Sequence, residues 1–292
     1  MHAYLPAIGF GQIKKKSQLQ QLLSSVQNFP DQVQKIRLDE ESSLVVYTKE
    51  VAPDIGLMIC GEEDMQGSFQ MEYYEPYINS NVCSSKAECS IEKESAREAY
   101  DGVCDDCRLG LNLIFSVNNF MEYRKYKVLQ GFFPTVTDAC LSALCTQGKI
   151  LLPILKRPEA ARIAKKKEQG RQKLIEAARE GNQEAIDSLT IDDMNLSKKV
   201  GRLLNSCDIY TMVESSIMPC GMESDRYTII GEILNVVPLV NEISKEPLCQ
   251  MDVKCNNICI RVLVNRSGLM GEPMAGRRFK GDIWLQGVVN FV

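Results

Sequence analysis

Apolar and polar positions along this chain fall into three regimes. Near the start, Leu19, Leu22, Leu23 and Val26 recur at helical spacing behind Ser17, a candidate N-cap, and Pro30 lies just past the end. A short amphipathic helix is expected there. From that point to about Ile154 the apolar residues form short runs, Leu44–Tyr47, Gly56–Cys60, Phe69–Tyr74, Leu111–Val117 and Ile150–Ile154, separated by polar turn-rich pieces such as Gly61–Asp64. That pattern predicts strands without regularly alternating long helices, and so an α+β arrangement with a mainly antiparallel sheet.

The middle changes character. Pro158 suits the first turn of a helix running to Glu180, with Gly170 weakening it and Gly181 ending it. Asn182 is placed to cap a second helix through Leu189, and Leu196, Val200, Leu203 and Leu204 mark a third. The stretch resembles one helical-repeat hairpin, but a single copy has no stacked neighbours against which to bury its face.

The closing segment is β-patterned, with strands expected at Tyr227–Val237, on both sides of Asn256-Asn257, and at Asp282–Val292. Two asparagines tolerate the left-handed backbone of a two-residue hairpin turn. With that turn, Cys255 faces Ile258, Val253 faces Ile260, Met251 faces Val262 and Cys249 faces Val264, so one face is wholly apolar. The other pairs Asp252 with Arg261 and Gln250 with Leu263, a mixed face suited to partial solvent exposure. A one-residue slip would mix the two faces, so the register is well specified. Four such strands with the breaker-rich loop Gly268–Gly276 suggest a small barrel-like or strongly twisted sheet, oligonucleotide-binding barrels included. The expected division is an α+β region over 1–155, a helical connector over 156–218 and a β domain over 219–292.

Bulk properties narrow the function more than any motif. At 292 residues, with 45% hydrophobic and 25% charged residues, the chain has the make-up of a globular protein with a real core. It has no run long and apolar enough to span a membrane and no secretory pattern at its start, so a cytoplasmic location without membrane partners is expected. Its twelve cysteines, spread through apolar contexts, are then expected to be reduced. The single histidine, His2, is expected in a mobile terminus, which leaves histidine-based catalysis without material. Dinucleotide, phosphate-loop, nucleophile-elbow and zinc-protease signatures are all missing, and an enzyme is disfavoured.

The segments Met1–Phe10, Met71–Tyr77, Gly102–Asp106, Gly271–Pro273 and Gly276–Gly287 resemble a family of cytoplasmic proteins from anaerobic Gram-positive bacteria known only as a domain of unknown function. The resemblance covers essentially the whole chain. It implies a shared fold and no catalytic residues.

Three constellations carry candidate chemistry. Cys104 and Cys107 form the one CxxC, a spacing that can hold half of a zinc site, although two intervening aspartates oppose the thiolate form needed for redox work. No cofactor is predicted beyond that zinc. Arg277, Arg278 and Lys280 surround Phe279 between glycines, and Lys165, Lys166 and Lys167 lie in a basic run with Arg162, Arg171 and Lys173. Both groups are candidates for anions or nucleic acid, against the commoner role of solvated charge. The reading that results is a non-enzymatic binding or scaffold protein, self-associating or holding a protein partner, with nucleic-acid or anion binding as the alternative. Trp284 is expected in the core or at a subunit contact rather than under a base.

Overall fold

A computed structural model describes residues 2–95, 97–106, 109, 111–154, 170–171, 173–175, 177–191 and 213–292. The fold is mixed, about half strand, and mostly antiparallel. Helix α1 (Lys16–Asn28) buries Leu22, Leu23 and Val26 as its periodicity requires. It begins earlier than Ser17 would place it, because the Gln18 side chain reaches back to accept from the N–H groups of Lys14 and Lys15 at 3.0 and 3.1 Å. Four strands then form an antiparallel meander: β1 (Gln32–Arg37), β2 (Ser42–Ala52), β3 (Ile55–Asp64) and β4 (Phe69–Ile78).

The remaining strands build a second, ten-stranded sheet. They are β5 (Cys89–Lys93), β6 (Tyr100–Cys104), β7 (Leu113–Val117), β8 (Val136–Leu151), β9 (Ser216–Pro219), β10 (Arg226–Val240), β11 (Pro247–Cys255), β12 (Ile258–Asn265), β13 (Leu269–Met270) and β14 (Arg278–Phe291). A helix that apolar spacing does not announce, α2 (Phe120–Gln130), joins β7 to β8. The β11–β12 hairpin has the register expected from its alternation, Cys255 to Ile258 through Cys249 to Val264, and Asn256 and Asn257 sit at φ 43° and 67°. Strand β8 pairs with both β12 and β14, so the pairings β8–β12–β11–β10–β14–β8 return on themselves. One strand of the circuit thus lies before residue 155 and four lie after 219.

Alternation along β8, β12 and β14 explains both cores. Leu141, Ala143, Cys145, Val262, Val264, Ile283 and Leu285 join the larger cluster with the predicted apolar face of the hairpin. Their neighbours Leu144, Leu263 and Trp284 join a second cluster, against Leu5, Ile8 and the α1 leucines and against Leu57 and Ile59 of β3. The second hairpin face is covered at its Leu248–Leu263 end and part-exposed toward the turn, as its mixed pairing suggests: Lys254 is exposed and Gln250, Asp252, Cys259 and Arg261 are half-buried. The Asp252–Arg261 pair, at 3.1 Å, keeps 14% and 10% of its side chains exposed.

Polar side chains stitch the two sheets together. Gln286, fully buried on β14, accepts from the Ile78 N–H at 3.1 Å and donates to the Pro76 carbonyl at 2.9 Å. The Ser142 hydroxyl on β8 and the Asn118 amide both donate to the Ile78 carbonyl, at 2.6 and 2.9 Å. In the connector, Gly181 takes φ 86° and the Asn182 side chain accepts from the Ala185 N–H at 3.2 Å, capping the helical residues 183–191 as expected. The expected third helix and Lys165, Lys166 and Lys167 lie outside the described residues. No helix among the described residues is long and apolar enough to cross a membrane.

Candidate functional site

Two glycine–lysine steps meet on the outer surface of the strand circuit. In the β8–β14 ladder Gly148 lies opposite Gly281 and Lys149 opposite Lys280. The glycines are needed because the Phe279 ring packs over the ladder: a Cβ on Gly148 would sit 2.4 Å from that ring, and one on Gly281 2.7 Å from it. Gly268 is as constrained, since its Cβ would lie 2.2 Å from the Thr146 carbonyl oxygen, and this close approach seats Leu269–Met270 beside Gly148 and Lys149 as a wall.

The result is a cleft of about 770 Å³ lined by Gln147, Lys149, Thr228, Ser267, Lys280 and Asp282 together with the glycines, Leu269 and Met270. Two ammonium groups rise from facing strands, and like charges so placed repel. Asp282, the one carboxylate in the lining among the described residues, accepts from the Thr228 hydroxyl at 2.6 Å. Among the described residues no aromatic ring lines the cleft; aromatic rings are the platform on which single-stranded nucleic acids stack their bases.

The predicted cations separate. Lys280 enters the cleft. Arg277 donates to the Glu272 carbonyl at 2.8 Å. Arg278, only 6% exposed, donates to the carbonyls of Leu152 and Val213 at 2.9 and 2.5 Å, and so fastens the two ends of the intervening segment. Phe279 enters the core. Lys149, Thr228, Ser267 and Asp282 escaped sequence reasoning. The available signal was the pair Gly148-Lys149 and Lys280-Gly281, since glycine inside a strand marks a close approach.

Cys107 lies outside the described residues. Cys104 is fully buried and stands across from Cys89. Among the described residues, no group of three or more His, Cys, Asp or Glu is arranged to hold a metal ion.

A second concentration of charge holds the N-terminal segment. His2 is not a free terminus: its backbone N–H donates to the Tyr74 hydroxyl at 2.8 Å and its ring lies 4.8 Å from that of Trp284. Trp284, buried as expected, donates from Nε1 to Asp225. The Arg226 guanidinium lies 4.4 Å from the Tyr4 ring and 5.1 Å from that of Trp284, a cation–π arrangement. Arg97 pairs with buried Glu75 and with Glu94. Burial, then the charges of Arg226 and Arg97, lowers the His2 pKa to about 4; burial, then Glu94 and Asp225, raises that of Asp101 to about 6. These contacts pin the segment to the sheet.

No curated protein and no solved structure matches the chain. Residues 5–287 match the family described as "Domain of unknown function, E. rectale Gene description (DUF3881)", and because that span is nearly the whole of the sequence, the chain belongs to this family.

Proposed function

We propose that this is a cytoplasmic, non-enzymatic binding protein that takes a small phosphate- or carboxylate-bearing ligand between Lys149 and Lys280. On this reading β8, β10, β11, β12 and β14 act as a small barrel whose outer ladder carries the site. The observation that carries it is the cross-strand lysine pair over two glycines in a cleft of about 770 Å³, a volume within the usual range for ligand sites. Among the described residues the lining offers no aromatic platform, which favours a small anion over a nucleic-acid strand.

Calorimetric titration with pyrophosphate at low and moderate salt tests it. Binding should weaken as salt rises, and Lys149→Gln with Lys280→Gln should weaken it at least about tenfold, the effect of losing about 1.4 kcal/mol. Absence of binding by the wild-type protein at millimolar pyrophosphate, or unchanged binding by the double variant, would sink the reading. A second reading, a scaffold that self-associates or holds a protein partner, is favoured by the exposed Val128 and Leu129 in the last turn of α2 and Phe132 and Phe133 just past it, since apolar side chains clustered on a surface mark interaction sites. Light scattering across a concentration series, with Leu129→Asp and Phe132→Asp as controls, tests the self-association arm.

A further inference from the structure

The β5–β6 hairpin pairs Cys89 with Cys104 in register. Two flanking hydrogen bonds fix the type of that pair: the Glu94 N–H donates to the Ala99 carbonyl and the Asp105 N–H to the Glu88 carbonyl, at 2.9 and 3.1 Å. Hydrogen-bonded pairs alternate along an antiparallel ladder, so Glu88–Asp105 and Glu94–Ala99 are of that kind, and Cys89–Cys104 occupies a non-hydrogen-bonded position. There the Cα atoms approach to about 4.5 Å, and that separation falls inside the range a disulfide spans. The Cys89 thiol also donates to the Ala87 carbonyl at 3.5 Å. No other described cysteine faces a cysteine across a strand pair.

We infer that Cys89 and Cys104 are a dithiol that a low-molecular-weight disulfide oxidises, through local opening of the hairpin, to a reversible cross-strand disulfide. Cys89 is the entry sulfur, being 9% exposed where Cys104 is 0%, and it sits on β5, the outermost strand of its sheet. A strand paired on one side only opens at lower cost than a central one. The Cys89 thiolate attacks one sulfur of the small disulfide, forming a mixed disulfide and releasing one small thiolate, which takes up a proton. The Cys104 thiolate then attacks Cys89 Sγ and releases the second. Two protein thiols lose two electrons in all, and the small disulfide gains them as two thiols. The hydrogen bond with Cys104, then burial, raises the Cys89 thiol pKa well above its usual value, so the exchange is slow in the closed hairpin and proceeds through its opening.

The consequence is mechanical. The link closes a loop that includes Arg97 and Glu98, the partners of Glu75 and Arg124, and oxidation therefore stiffens the hairpin that presses on β4 and α2. This site is separate from the lysine cleft, and its failure would leave the anion-binding reading untouched.

The test uses the full chain incubated with oxidised glutathione, followed by alkylation of free thiols, tryptic digestion and mass spectrometry. The expected product links the peptide 87–93 to the peptide 98–108, with Cys107 carrying the alkyl group. The link should disappear with dithiothreitol and in Cys89→Ser, and persist in Cys107→Ser. Hydrogen exchange of the β5 and β6 amides should slow at least about tenfold in the oxidised protein, because the cross-link removes open states of a loop of roughly fifteen residues. A Cys104–Cys107 link in place of the expected one, persistence of both thiols after other cysteines have reacted, or loss of the link in Cys107→Ser would each overturn the inference.

Discussion

Gln286 offers the sharpest test of how the two sheets are joined. Replacing it by Leu keeps most of the volume but removes the acceptor for the Ile78 N–H and the donor to the Pro76 carbonyl, both at a fully buried position. A buried polar group left without its partner costs about 1–3 kcal/mol, so the two together cost about 2–6 kcal/mol. The added apolar surface of Leu returns about 1–2 kcal/mol, leaving a net loss of about 2–3 kcal/mol, taken near the middle of both ranges. Ser142→Ala is the internal control. It removes the 2.6 Å bond to the Ile78 carbonyl, which still accepts from Asn118 at 2.9 Å, so the expected cost is about 1 kcal/mol. Urea unfolding followed by far-ultraviolet circular dichroism measures both. Since Gln286 and Ser142 serve the same β4 residue, their double variant should deviate from additivity. If Gln286→Leu is no more destabilising than Ser142→Ala, the seam is not what joins the sheets and the reasoning is refuted.

Three further outcomes are expected. Val253→Asp places an unpaired carboxylate at a fully buried position and should cost more than about 3 kcal/mol, whereas Asp252→Asn weakens a largely covered ion pair and should cost about 1–3 kcal/mol; equal melting temperatures for the two would show the register to be wrong. Asn257→Val forces a branched side chain to φ 67° and should cost about 1–2 kcal/mol, while Asn257→Gly should be near neutral in thermal melts. Ionisation supplies the third. The lowered His2 pKa means that the unfolded chain binds the extra proton between about 4 and 6.5, so this group's contribution to stability rises with pH through that window. The raised Asp101 pKa acts oppositely between 3.8 and about 6, where the folded chain holds the proton more tightly and stability falls as pH rises. Asp101→Asn should therefore gain more melting temperature than the wild type between pH 4.5 and 7, and an equal gain would show that Asp101 is not perturbed in this way.

Local pattern was enough to specify the β11–β12 hairpin. A period of two with an Asn-Asn turn allows only one register that keeps Cys249, Met251, Val253 and Cys255 on one face, and the same logic placed α1, the Gly181 stop and the Asn182 cap. Strands β1 and β5 escaped notice because they are short edge strands rich in polar residues, whose pairing comes from a neighbour rather than from their own alternation. Helix α2 escaped for a related reason: Phe120, Met121 and Tyr123 bury one end while Val128 and Leu129 at the other stay exposed, so no single apolar stripe runs its length.

What the sequence by itself determined was local geometry and class: a mixed, mainly antiparallel fold, a hairpin of known register, a buried tryptophan and membership of a family known from residues spread along the whole chain. Tertiary structure decided which strands share a sheet, and with that the candidate site. Strand β8 looked like part of the N-terminal region but closes the ladder with β12 and β14, because its long run is apolar on both faces and needs a core on each side. That closure sets Lys149 opposite Lys280, residues far apart in the chain, and the β5–β6 register sets Cys89 opposite Cys104. Side chains separated in sequence have no shared period to reveal them, and only the hydrogen-bonded register of strands brings them face to face.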